Sequence, residues 1–211
     1  MPENDLGLKR IHHVEYWVGN AKQASYYYRK AFGFSQTAYA GLETGSRDRT
    51  SYVIEQGKAR LVLTTPMTAG GPMNSFLGRH GDGVKDIAFE VADVDAAFSE
   101  AVARGAAAVQ EPEDVSGTGG TVRRAVVGTY GDVVHSLLSV GNFDGPFLPG
   151  FEENRIAEPA TGLHFIDHIV GNVELGRMDV WAGYYEKVFG FSRYITFDDK
   201  DISTEYTALQ S

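Results

Sequence analysis

The side chains with most chemistry to offer are histidines set in short apolar runs, Ile11-His12-His13-Val14 and Ile166-Asp167-His168-Ile169. An imidazole can ligate a metal through either ring nitrogen, or move a proton near neutral pH. On a strand, alternate residues share a face. Alternation puts His13, Glu15 and Trp17 on one side of the first run and Val14, Tyr16 and Val18 on the other. His12 then falls on the opposite face from His13, or at the strand edge. A later run sets Asp86, Ala88 and Glu90 on one side, so His13 with Asp86 or Glu90 could seed a metal site. In the second histidine run, His168 and Val170 share a face, while Asp167, Ile169 and Val173 share the other. A single strand histidine is ordinarily structural, and the residues alone leave both roles open for His168. His80 lies in a glycine-rich loop, His164 at a strand start and His135 after Tyr130-Gly131-Asp132; all three read as structural. The chain has no cysteine, which removes disulfides, thiolate metal sites and cysteine nucleophiles. Gly117-Thr118-Gly119-Gly120 has neither the strand-to-helix setting nor the Lys-Ser/Thr ending of a phosphate loop, and reads as a turn.

The elements that must hold these residues are repeated. Tyr27-Tyr28-Arg29-Lys30-Ala31-Phe32-Gly33-Phe34-Ser35 returns as Tyr184-Tyr185-Glu186-Lys187-Val188-Phe189-Gly190-Phe191-Ser192, with seven of nine positions identical. His13 precedes Phe32 by 19 residues, and His168 precedes Phe189 by 21. Each copy reads as a strand and then an amphipathic helix ended by glycine. Strands are expected at 36–40, 51–55 and 60–65, which makes the first unit β-α-β-β-β. A second, divergent unit starts at Gly83, with Asp93 as helix N-cap and strands at 107–110, 122–129 and 133–140. The fold class is therefore α+β, built of repeated β-α-β-β-β modules. Residues 1–140 form one domain of two modules. Residues 141–161, with Pro146, Pro149 and Pro159, read as a linker. Residues 162–211 begin a third copy that is one strand, one helix and about two strands long. That fragment buries a sheet face poorly, so the second domain is expected to be incomplete.

Charge narrows the partners. A net charge of −9 and a pI near 5.1 argue against nucleic acid. No stretch approaches the roughly 18 apolar residues of a membrane span, and the polar N-terminus carries no apolar signal stretch. A cytoplasmic protein is expected.

Several motifs run in a familiar order: Val18-Gly19-Asn20-Ala21-Lys22-Gln23-Ala24, His80-Gly81-Asp82-Gly83-Val84, Pro146-Phe147-Leu148-Pro149-Gly150-Phe151, Ile166-Asp167-His168-Ile169-Val170-Gly171-Asn172-Val173 and Thr204-Glu205-Tyr206-Thr207-Ala208-Leu209. With the paired modules, they resemble the vicinal oxygen chelate (glyoxalase-type) superfamily and, within it, the 4-hydroxyphenylpyruvate dioxygenase family. The resemblance implies iron(II) held by two histidines and a glutamate, with dioxygen as co-substrate. It implies conversion of a small aromatic 2-oxoacid, 4-hydroxyphenylpyruvate, to homogentisate in tyrosine catabolism, by a homo-oligomer. It places one iron ligand at His168 and substrate-pocket residues at Val170 and Ser211. It assigns no acid–base catalyst within the chain, no metal to residues 1–140, and no activity to these 211 residues alone. The nearest alternative is a 4-hydroxymandelate synthase. An alternative of another class is a non-catalytic domain of this fold that binds a ligand or dimerises.

Overall fold

The computed structural model describes residues 6–193. The first module runs β1 (Leu8–Trp17), α1 (Ala21–Phe32), β2 (Ser35–Ala40), β3 (Arg49–Gln56) and β4 (Ala59–Pro66). After α2 (Gly71–His80), the second runs β5 (Gly83–Val91), α3 (Val94–Ala103), β6 (Ala107–Gly117), β7 (Gly120–Gly128) and β8 (Val134–Ser139). β9 (Glu152–Ile156) and α4 (Met178–Phe189) follow. The strands form one sheet in the order β6-β7-β8-β5-β1-β4-β3-β2-β9. In each module the first and last strands are parallel, β1 with β4 and β5 with β8. The modules meet through antiparallel β1 and β5. The expected β-α-β-β-β pair is present in both copies.

Local chemistry accounts for the helix ends. The Asn20 side chain accepts from the Gln23 N–H, and Asp93 from the Ala96 N–H, each at 3.0 Å. Gly33 and Gly190 close α1 and α4 in the left-handed region, with φ of 71° and 66°. Between the helices and one sheet face lies the main core, including Val14, Ile54, Leu63, Val91, Phe98 and Leu137. Among the described residues no helix is long and apolar enough to cross a membrane.

The segment 141–161 is strapped to the first module. β9 pairs with β2, and Glu158 bridges Arg29 and Lys30 at 3.0 and 2.8 Å. The Gln56 side-chain amide oxygen Oε1 accepts from the backbone N–H groups of Thr161, Gly162 and Leu163 at 2.8, 3.0 and 3.0 Å. Gly33 lies under this strap: a Cβ there would stand 2.5 Å from the Pro159 carbonyl oxygen. Gly33→Ala is expected to lower stability by about 1–3 kcal/mol, from strain at positive φ together with that clash. Gly45→Ala, with φ 91° and open space, should cost only the strain. Urea midpoints of the two variants check the difference.

One expectation fails. The stretch around Ile166–Ile169 forms no strand. A strand is held by its neighbours, and no strand among the described residues pairs with this run.

Candidate functional site

Two places bring the sequence's candidate residues into view. The first is the cleft on the sheet face away from the main core. Glu15 and Asp86 are register partners across β1 and β5, and His13 faces Ala88. His13, Glu15 and Asp86 line one cavity, as alternation predicts. His12 does not follow the alternation. The ladder shifts register between Ile11 and His13, and this bulge brings both rings to Phe147, with centroids at 5.7 and 5.0 Å. Phe147, from the 141–161 segment, packs on Ala38, Val53 and Val62 and plugs part of the cleft. Nothing in its local sequence announces that role, because a plug is defined only by what it fills.

Burial sets the charges here. It lowers the His12 pKa to about 4, helped by Arg60 and Arg10. It drives His13 well below its ordinary value, with His12 and Arg124 acting in the same direction. Burial raises Asp86 to about 6, against the opposing hydrogen bonds from Ser136. Asp86 accepts the Ser136 N–H at 2.8 Å and also its hydroxyl proton.

The second place is the seat of α4. His135 lies fully buried in the sheet, and Ile87 O is 2.9 Å from its Nδ1. A carbonyl only accepts, so Nδ1 carries the proton. Nε2 then accepts from the Tyr185 hydroxyl at 2.9 Å, and Tyr185 can accept from Thr129 at 3.0 Å. The Tyr184 hydroxyl donates to the Gly128 carbonyl at 2.6 Å. An apolar cavity of about 450 Å³ remains beside the helix, lined by Ile11, Ile87, Phe89, Tyr130, Ile169 and Trp181 among others. The reading of His135 as structural agrees with this packing, while its bond to Tyr185 has no local sequence signal.

This network predicts a pH dependence. Burial lowers His135 from 6.5 to about 4, so between those values the unfolded chain binds the extra proton. Stability is therefore lost as pH falls from 6.5 towards 4, by up to about 3 kcal/mol at about 1.4 kcal/mol per unit. His12 acts in the same direction. Asp86, with its raised pKa, acts oppositely, its contribution fading as pH rises through about 6. Urea unfolding of the native chain and His135→Gln at pH 7 and 4.5 should show a shallower acid loss in the variant.

The implied iron ligand itself lines neither cavity, although Ile169 beside it borders the second. The His168 side chain is 74% exposed, and its Nδ1 is 2.7 Å from Asp167 Oδ2. Val170 is also exposed. Ser211 lies outside the described residues. Among the described residues no three His, Cys, Asp or Glu side chains come together as a metal-binding group. One imidazole alone does not hold iron(II), so the described residues supply at most one of its ligands.

Comparison with known proteins gives the chain its kin. The model of the Glyoxalase/Bleomycin resistance protein/Dioxygenase superfamily matches residues 10–132. The 4-hydroxyphenylpyruvate dioxygenase of Yarrowia lipolytica is 43% identical over 210 residues, covering 94% of this chain and 53% of the relative. That of Xenopus tropicalis is 45% identical over 209 residues, covering 95% and 53%. The chain thus spans about half the length of the curated relatives it matches. A solved structure of a triple variant of 4-hydroxymandelate synthase from Streptomyces coelicolor superposes with TM-score 0.77 at 31% identity, covering 90% of this chain and 55% of that one. The chain belongs to the Glyoxalase/Bleomycin resistance protein/Dioxygenase superfamily, where its kinship is with the 4-hydroxyphenylpyruvate dioxygenases.

Proposed function

We propose that this chain serves a 4-hydroxyphenylpyruvate dioxygenase. The enzyme would use iron(II) and dioxygen to turn 4-hydroxyphenylpyruvate into homogentisate and carbon dioxide. The observation that carries this reading is 40–45% identity, over 94–97% of the chain, to eight proteins of that name. In this reading residues 1–140 are a metal-free supporting domain, 141–161 connect it, and 162–211 enter the iron-binding domain. His168 supplies one iron ligand, while Val170 and Ser211 face the substrate. A carboxylate at one imidazole nitrogen, leaving the other open, is the usual setting of a metal-ligating histidine, and Asp167 supplies such a carboxylate. The protein acts as a homo-oligomer.

The likeness to a 4-hydroxymandelate synthase fold favours a second reading, in which the side chain rather than the ring is hydroxylated. The two products are isomers, so mass alone does not separate them. The test supplies iron(II), dioxygen and 4-hydroxyphenylpyruvate to the protein at the length of its relatives, then resolves products by chromatography. Homogentisate, with one carbon dioxide released per dioxygen consumed, is expected. 4-Hydroxymandelate would select the second reading, and no substrate-dependent oxygen uptake would overturn both.

A further inference from the structure

The cleft of the first two modules is only partly plugged. Phe147 covers one side, and beside it a cavity of about 250 Å³ stays open, walled by His13, Glu15, Arg49, Asp86, Arg124 and Ser136 among others. Hydrogen bonds determine which of these groups has a proton to give. The Arg60 guanidinium can only donate, so at 3.2 Å its Nη1 donates to His12 Nε2. His12, neutral in this surrounding, then carries its proton on Nδ1 and donates it to His13 Nδ1 at 2.8 Å. His13 is thereby left with its proton on Nε2. The residue is 5% exposed, and no described side chain or carbonyl accepts that N–H.

The same cavity lining holds a second donor. Arg124 directs Nε and Nη2 to the Ser136 hydroxyl at 3.3 and 3.1 Å, leaving Nη1 without an acceptor among the described residues. Asp86 stands 3.9 Å from Arg124 Nη2 but is already taken up by the N–H and hydroxyl of Ser136. A cation gains little here, since the free histidine nitrogen is protonated. Glu15 accepts from Thr64 at 2.6 Å through Oε1, and its other oxygen has no described donor. Leu138 and Phe147 give the same cavity apolar walls.

We propose that this cleft binds a small monocarboxylate, whose oxygens accept from His13 Nε2–H and the Arg124 guanidinium. Its apolar part lies against Phe147 and Leu138. Glu15 repels a second negative group and favours an acid with its own donor beside the carboxylate, such as an α-amino or α-hydroxy acid. The site does not depend on iron or on the reading of His168.

The test is an NMR titration of the 211-residue chain with acetate, lactate and alanine, with chloride matched for ionic strength. Saturable shifts of the His13 Nε2–H and Arg124 side-chain resonances are expected, with lactate or alanine bound more tightly than acetate. Arg124→Gln removes a charge-assisted hydrogen bond, and affinity should fall about tenfold, the change that about 1.4 kcal/mol produces. Glu15→Gln should abolish the preference over acetate while keeping acetate binding, which tests the site without touching its donors. No saturable shift with any of the three acids up to about 50 mM, well beyond the millimolar affinity of weak ligands, overturns the proposal. So does an Arg124→Gln chain that keeps a native spectrum and titrates as the parent does.

Discussion

Phe189→Ala is expected to cost about 3–5 kcal/mol and to release α4 from the sheet. The Phe189 ring is fully buried. It meets Tyr185 at 5.5 Å, His135 at 5.1 Å and Phe89 at 6.0 Å between centroids. The polar ties of the same helix are weaker. Tyr184 to Gly128 and Tyr185 to His135 contribute on the order of 1 kcal/mol each, because both partners exchange water for protein. Removing the ring also opens a cavity among aromatic neighbours that collapse poorly, so packing outweighs hydrogen bonding here. The repeat supplies the control. Phe32 holds the equivalent place at the end of α1 but is 41% exposed, and Phe32→Ala should cost about 1 kcal/mol or less. Urea unfolding with hydrogen exchange checks both: α4 should lose protection in the first variant, while β1 and β5 keep theirs. Unchanged protection of α4 would show that the helix is not seated through this ring.

That contrast shows what was legible before the fold was known. The two Tyr-Tyr-to-Gly-Phe-Ser copies give the same helix with the same left-handed glycine cap, because caps and helical spacing are decided within a few residues. What each helix packs against was not legible, since Phe32 and Phe189 have nearly the same neighbours in sequence, Ala31 against Val188 apart, and different ones in space. Strand alternation correctly set His13, Glu15 and Asp86 into one cleft. It misplaced His12, because a one-residue bulge carries no reliable local signal. The stretch 141–161 read as linker from its prolines and glycines, although it supplies β9, the Glu158 bridges and the Phe147 plug. Charged residues such as Glu152, Glu153 and Arg155 suit a protected edge strand as well as a loop. His168 was singled out by family resemblance and by its own apolar run. A ligand set drawn from several strands cannot be recognised in one of them.

Replacing His168 by alanine therefore separates a ligand from a structural histidine. The residue is exposed, its one described polar contact is Asp167, and it carries no core packing. Its loss should change the stability of the described fold by no more than about 0.5 kcal/mol. A structural histidine such as His135 would behave in the opposite way, destabilising the chain through its buried partners. In the protein at the length of its relatives, His168→Ala should lower iron content and turnover together, by at least about 100-fold. Groups that merely orient a metal ligand are worth about 10–100-fold, and the ligand itself is worth more. Asp167→Asn keeps the imbalance of sizes small but weakens the grip on Nδ1, so a loss of about tenfold is expected, mostly in metal affinity. Iron analysis, oxygen uptake and urea midpoints on the same preparations distinguish the cases. If His168→Ala keeps its iron and its turnover, the residue is not a ligand, and kinship with the dioxygenases would stand without it. If stability falls instead, the histidine is packed by segments other than those described, and its place in the fold, not its chemistry, explains its apolar setting.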